Sequence, residues 1–294
     1  MDVKSESTCT CTSTSTSAST STSSAPAPLV SFPMLTDEPK HRTGPQTIPR
    51  PLTYRVGGSS PWGDLPADIR SSLPLATVVA AVTNRARTAK ASAAEVTALS
   101  RTFADTFADA DPAAVLVALF EEGGESRVLL TVRSSRLRSH QGEVAFPGGR
   151  LDTDEGIEDG ALREAEEEVG LDPSSATVIG HLTAMPTVSS NTLMTPVVVV
   201  LDARPVTTPE PDEVARVFDV ALVDLAADGV WAEELWAAAG RPGSAGETGG
   251  EFPVWFFSVA GETIWGATAR VLTELLCLVL AVPGPPLAGP RQLR

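Results

Sequence analysis

The chain has 294 residues, long enough to bury a substantial core. It carries 22 Lys and Arg against 37 Asp and Glu, a formal charge of −15 with no basic stripe, which excludes nucleic acid and anionic membrane surfaces as partners for the chain as a whole. Its three cysteines (Cys9, Cys11, Cys277) have neither zinc-ligand spacing nor a disulfide framework, so a reducing cytoplasm is the expected location.

Residues 1–58 begin with a run of Ser and Thr and continue into repeated prolines (Pro26, Pro28, Pro33, Pro39, Pro45, Pro49, Pro51). Such a composition cannot bury enough apolar area to offset chain entropy, and a disordered tail is expected. Its start has neither the basic stretch nor the apolar run of a secretory signal. A globular domain is expected over 59–285, with a second disordered tail over 286–294. Helices are expected at Leu75–Arg87 and Ser92–Phe107, the second opening on Ser92 with Glu95 at the capping-box offset. Ala113–Phe120 is a continuous apolar run of strand length, as in a strand covered on both faces. Gly123-Gly124 marks a turn, after which Val128, Leu130 and Val132 alternate with polar residues as in a half-exposed strand.

The segment 133–150 is the densest basic stretch: Arg133, Arg136, Arg138, His140 and Arg150. Scattered arginines on a loop are ordinarily only solvated. Here they precede an acidic helix, and guanidinium groups match phosphate geometry, so Arg133, Arg136, Arg138 and Arg150 are candidate substrate-binding residues. Phe146-Pro147-Gly148-Gly149 is a turn whose glycines let backbone approach a ligand, and the Gly149 carbonyl is a candidate metal ligand.

Residues 149–171 hold nine carboxylates. Leu162, Ala165 and Val169 recur at helical spacing, and Glu164, Glu167 and Glu168 fall at i, i+3, i+4, on one face. A charge run is ordinarily a solvated face. Like charges so placed repel, by up to ~0.5 kcal/mol per pair, and a hard cation such as Mg²⁺ would relieve the crowding. Arg163 lies four residues before Glu167 and can hold its rotamer.

The spacing of Gly149, Glu155, Arg163-Glu164-Ala165-x-Glu167-Glu168-x-Gly170-Leu171 resembles the Nudix box at every specified position. The resemblance implies an α/β fold, an α/β/α sandwich around a central mixed sheet. It also implies a loop–helix–loop in which Glu164, Glu167, Glu168 and Gly149 hold Mg²⁺ or Mn²⁺ and a diphosphate linked to another group is hydrolysed. In this reading Arg163 orients Glu167, and Glu155 and Glu213 are further candidates for water-mediated metal contact or proton acceptance. Leu129-Leu130-Thr131-x-Arg133-Ser134-x-x-x-Arg138-x-x-x-Gly142-x-x-x-Phe146-Pro147-Gly148-Gly149 resembles the motif preceding the box in the coenzyme A diphosphatase branch. It implies that coenzyme A or acyl-coenzyme A is cleaved to 3′,5′-ADP and 4′-phosphopantetheine. The alternative is another nucleoside diphosphate derivative: ADP-ribose, NADH or a dinucleoside polyphosphate.

Beyond the box, Gly170 is the expected helix cap and Pro173 a stop. Strands are expected at Thr177–Leu182 and Thr195–Leu201, with a polar loop at Met185–Thr195 between them. That loop carries Ser189-Ser190-Asn191-Thr192 where related enzymes often have Ser-Gly-Phe. Glu213 opens a short amphipathic segment. Trp231 and Trp236 are read as packing residues, and Gly240–Gly250 as a flexible loop without a phosphate-loop Lys. Phe252–Val259 and Thr263–Trp265 are expected strands, followed by a helix to Val282. Its apolar stretch is far short of the ~20 residues of a membrane span. A small-molecule substrate is the expected partner, and a homodimer is left open.

Overall fold

The computed structural model describes residues 46–91, 110–187, 192–237 and 251–285. Residues 46–58, grouped with the tail on composition, enter the fold instead. Gln46 donates to the Thr263 carbonyl (3.1 Å), Ile48 packs on the Trp236–Phe256 cluster, and β1 (Tyr54–Val56) pairs antiparallel with residues 234–236. Proline forbids helix here but tolerates extended backbone at a sheet edge, so this composition still suits a short edge strand.

After α1 (Ala67–Arg70) comes α2 (Leu75–Ala91), longer than its expected span. The expected helix at 92–107 lies outside the described residues. Next come β2 (Asp111–Glu122), β3 (Glu125–Arg133), β4 (Val144–Ala145), β5 (Gly148–Arg150) and the acidic helix α3 (Ile157–Val169). They are followed by β6 (Ala176–His181), β7 (Met185–Thr187), β8 (Thr192–Leu201) and β9 (Val214–Ala221). The chain closes with α4 (Leu222–Leu225), β10 (Trp231–Ala237), β11 (Glu251–Val259), β12 (Glu262–Trp265) and α5 (Gly266–Val279). The glycine-rich 240–250 segment lies outside the described residues. So do residues 188–191, but β7 and the start of β8 form antiparallel pairs (Met185 with Met194, Thr187 with Thr192), so the expected polar loop is in part a hairpin.

Strands β2 to β9 form one mixed sheet: β2 and β8 run parallel, and every other pairing is antiparallel. Side chains alternate along β2, so one strand feeds two cores. Ala114, Leu116, Ala118 and Phe120 face Ala161, Ala165 and Val169 of α3. Val117 and Leu119 face the other way, into a cluster with Val78 and Val82 of α2 and Val271, Leu272, Leu275 and Leu276 of α5. A sheet covered by helices on both faces is the expected sandwich. β3 is not half-exposed as its alternation suggested: Leu129 and Thr131 are as buried as Val128 and Leu130, and Leu129 joins the cluster that holds Ala161, Ala165 and Val169 of α3. Thr131 tolerates this because its hydroxyl donates to the Ala145 carbonyl (3.0 Å). No helix among the described residues is long and apolar enough to cross a membrane.

A second, antiparallel sheet, β1-β10-β11-β12, packs on the α5 side. Trp231 and Trp236 are buried packing residues, as expected. The fully buried Trp62 packs in the same core as Trp231, edge-on to it (6.2 Å) and stacked on Phe257 (6.3 Å), while Trp236 sits in a separate cluster with Val254 and Phe256. Trp62→Ala should therefore lower stability by ~3–5 kcal/mol, the usual cost of emptying a buried aromatic site. Leu52→Ala, fully exposed, should change it by less than ~0.5 kcal/mol. Urea unfolding of both variants measures the contrast, and equal effects would refute the packing role of Trp62.

Candidate active site

The acidic helix has Glu158 and Asp159 in its first turn, where carboxylates favour the helix dipole, and it ends on Gly170 in the left-handed conformation (φ 67°). Its glutamates do not share one solvent face equally. Glu168 falls on the buried side beside Ala165 and is 5% exposed, Glu164 is half-buried, and Glu167 is exposed. The buried stripe runs through Ala161, Ala165, Glu168 and Val169, with Leu162 at its margin.

Arg163 is the hub of the site. Its Nε donates to Glu155 Oε1 (2.8 Å) and its Nη2 to Glu155 Oε2 (3.0 Å), a two-point pair. Nη1 donates to Glu164 Oε1 (3.0 Å) and Glu167 Oε2 (2.9 Å), and Nη2 also reaches the Arg150 carbonyl (3.1 Å). The sequence reading gave Arg163 only Glu167, because helical spacing reveals partners on the same helix and not those on the preceding loop. The guanidinium beside Glu155 lowers its pKa to about 2 and raises that of Arg163. The pair holds the Glu155 carboxylate ionised and ties its loop to the helix.

Two glycines shape the approach to these carboxylates. A Cβ on Gly149 would overlap the Glu164 carboxylate, and one on Gly148 would overlap the backbone of Ala114 and Val115. The Gly148 N–H donates to Glu168 Oε2 (3.1 Å), a contact the sequence hinted at only through its Pro-Gly-Gly turn. Burial raises the Glu168 pKa to about 7; Gly148 and the charge of Arg133 oppose the shift, and Glu213 and Glu164 add to it. Burial likewise raises that of Glu164, against the pull of Arg163. Glu213 reaches this neighbourhood because its loop docks on the end of α3: Thr208 N–H donates to the Val169 carbonyl (2.7 Å), Glu210 N–H to that of Glu168 (2.9 Å), and Ser134 N–H to that of Glu213 (2.8 Å).

The expected arginines separate. Arg133, at the end of β3, acts electrostatically on Glu168, and its buried Nε has no partner among the described residues. Arg136 pairs with Asp212 (2.6 Å) and Arg150 with Asp111 (3.3 Å), both in exposed positions, and Arg138 is exposed. Among the described residues no three carboxylates are already gathered as a ready metal cage, since Arg163 draws Glu164 and Glu167 toward itself. The donor set nevertheless fits a hard divalent cation: Glu168, Glu164 and Glu213 repel one another around Gly148 and Gly149, and oxygen ligands with excess negative charge suit such ions.

A NUDIX domain family model matches residues 110–239. The uncharacterized Nudix hydrolase NudL of Escherichia fergusonii is 37% identical over 164 residues, 55% of this chain and 80% of that protein. The chain belongs to the Nudix hydrolase family. Nudix hydrolase 22, chloroplastic, of Arabidopsis thaliana is 40% identical over 182 residues, 58% of this chain and 56% of that protein. Peroxisomal coenzyme A diphosphatase NUDT7 of Mus musculus is 47% identical over 112 residues, 37% of this chain and 46% of that protein. The chain thus spans about half the length of these last two Nudix relatives.

Two outcomes follow from this geometry. Gly149→Ala should displace the Glu164 carboxylate and lower turnover about 100-fold, the scale of a 1 Å misplacement. Its stability should change by less than about 1 kcal/mol, because the overlapping atoms end a flexible side chain; urea unfolding and kinetics together test this. Second, a cation at Glu168 must displace the proton that the side chain holds below about pH 7. Calorimetry should show Mg²⁺ affinity falling about tenfold per pH unit below 7, with proton release on binding at pH 6 that fades by pH 8. A pH-independent affinity would contradict it.

Proposed function

We propose that this protein is a coenzyme A diphosphatase: a Nudix hydrolase that uses Mg²⁺ or Mn²⁺ to cleave coenzyme A and acyl-coenzyme A to 3′,5′-ADP and (acyl-)4′-phosphopantetheine. The observation that carries the reading is Arg133, placed by the end of β3 beside the buried Glu168 with its Nε unpartnered among the described residues. A guanidinium with an unused donor next to an acidic cluster suits a phosphate that arrives with its own cations. The 47% identity to mouse NUDT7 across the matched region supports the same substrate.

Glu164, Glu167, Glu168 and the Gly149 carbonyl are the groups that would hold the cation. When bound it would neutralise diphosphate oxygens and lower the pKa of a water molecule. The protein's own contributions are then positional and electrostatic. Arg163 fixes Glu155, Glu164 and Glu167 relative to the loop. Gly148 holds one oxygen of Glu168, and Arg133 binds a phosphate oxygen. Glu213, close to Glu164 and Glu168 but outside the Arg163 network, accepts the proton as the water oxygen bonds to phosphorus and the P–O bond of the anhydride breaks. Exposed Arg138 guides the anionic substrate inward, and Arg136 and Arg150 can join it by exchanging their exposed partners Asp212 and Asp111. A cytoplasmic location rests on cysteine usage alone, since the named relatives include chloroplastic and peroxisomal proteins.

The test is a panel of coenzyme A, dephospho-coenzyme A, ADP-ribose, NADH and a dinucleoside polyphosphate, each with Mg²⁺, Mn²⁺ or chelator. Coenzyme A should be preferred, and chelator should abolish its cleavage. Glu168→Gln should lower turnover by at least ~10²-fold with the fold intact, and Arg133→Gln should lower kcat/KM for coenzyme A by about 10–100-fold. Faster cleavage of ADP-ribose or NADH would overturn the substrate assignment while leaving the family untouched.

A further inference from the structure

On the face of the main sheet opposite the acidic helix lies a cavity of about 410 Å³. It is bounded by α2, β11, α5 and the residues after β6, and none of its lining residues belongs to the acidic cluster. Its polar wall holds two guanidiniums, Arg85 and Arg270, one carboxylate, Glu274, and the hydroxyl of Thr183. Trp255 and Leu278 contribute an apolar side.

The wiring of this wall is lopsided. Glu274 Oε1 accepts from Arg85 Nη1 (2.6 Å), Thr183 N–H (3.0 Å) and the Thr183 hydroxyl (2.7 Å), and Arg85 Nη2 donates to that hydroxyl (2.6 Å). Glu274 Oε2 is buried with no partner among the described residues. One helical turn earlier, Arg270 has a buried Nε with no partner among the described residues either. Arg and Glu at i, i+4 ordinarily pair. Here Glu274 is turned to Arg85 and Thr183, although its charge is felt at Arg270, where burial lowers the pKa of the guanidinium. A buried guanidinium N–H and a buried carboxylate oxygen without partners each cost free energy unless something fills them. An ordered water can donate to Glu274, but it cannot neutralise Arg270.

We propose that this cavity is a second ligand site, for a small carboxylate monoanion that also carries a hydroxyl or amide N–H and an apolar body. Two guanidiniums against one carboxylate leave a single positive charge, which one carboxylate closes and a phosphate, nearer two charges, overshoots. The carboxylate takes Arg270 in a two-point pair, the hydroxyl or N–H donates to Glu274 Oε2, and the apolar body lies against Trp255 and Leu278. The volume is within the usual range for small-molecule sites.

The experiment is calorimetric titration of the full chain with 3-phenyllactate, compared with 3-phenylpropionate (no hydroxyl), 3-phenylpropane-1,2-diol (no carboxylate) and inorganic phosphate. Saturable binding of phenyllactate is expected, weaker binding of phenylpropionate, and none of the diol or phosphate. Arg270→Met should weaken phenyllactate binding about 10–100-fold. It should leave Mg²⁺ binding at the acidic helix unchanged and the melting temperature equal to or above that of the unmodified chain, because it removes a buried donor that has no partner among the described residues. Absence of phenyllactate binding at millimolar concentrations overturns the proposal. So does equal binding by the variant, or a melting temperature that falls on replacement, which would mean that the guanidinium is already satisfied inside the protein.

Discussion

The site depends on one cation in a crowd of carboxylates. Arg163 binds Glu155 at two points, Glu164 and Glu167 at one each, and the Arg150 carbonyl, so loop and helix are fastened through a single guanidinium. Only Arg offers enough donors in a planar fork to do this; a Lys at this position would supply the charge without the geometry. Most of these contacts are partly exposed, and each alone is worth little. Their value lies in register: the brace through Glu155 sets where Gly149 lies relative to Glu164, whose carboxylate sits against the glycine Cα.

Glu168 shows the opposite regime. It is buried, beyond reach of Arg163, and its proton affinity is set by desolvation more than by partners. A pKa of about 7 against an ordinary 4.5 corresponds to roughly 3 kcal/mol of preference for the neutral acid. Gly148 N–H and Arg133 offset only part of it. The sign has a consequence for stability: without a cation, this group makes folding less favourable as pH rises from the unfolded value of 4.5 through about 7, and it contributes no further change above that. A divalent ion reverses the balance by favouring the ionised form. A single helix therefore presents a pre-braced glutamate pair and one buried glutamate whose ionisation burial opposes.

Much of this was legible in the sequence. The continuous apolar run of β2 signalled a strand covered on both faces, and the box spacing located the acidic helix, its cap at Gly170 and its glutamates. Other features were not legible. Periodicity alone centred the apolar stripe on Leu162 and made Glu168 equivalent to Glu164 and Glu167, whereas the buried line runs one position away through Ala161; small residues hide a packing face. Composition assigned residues 46–58 to a tail, yet the proline-free Tyr54–Val56 that follows Pro49 and Pro51 forms an edge strand. The alternation in β3 suggested a solvated face because Thr131 reads as polar, but its hydroxyl is satisfied by Ala145 and the face is covered. Loop contacts of Arg163 and the docking of 208–213 on the helix end are tertiary, and no local pattern encodes them.

The charge of −15 gains a meaning from these details. A chain so acidic repels a free diphosphate, and the site repeats that repulsion locally with Glu164, Glu168 and Glu213 in mutual electrostatic contact. Most arginines nearby are committed: Arg163 to three glutamates, Arg136 to Asp212, Arg150 to Asp111. Arg133 retains an unused buried donor, and it already serves Glu168. One guanidinium cannot offset three carboxylates and a diphosphate together. On the proposed reading the remaining positive charge comes with the substrate as its own divalent ions. Selectivity would then rest on the side chain that touches both partners: Arg133 meets the phosphate only where a cation has taken over its work at Glu168.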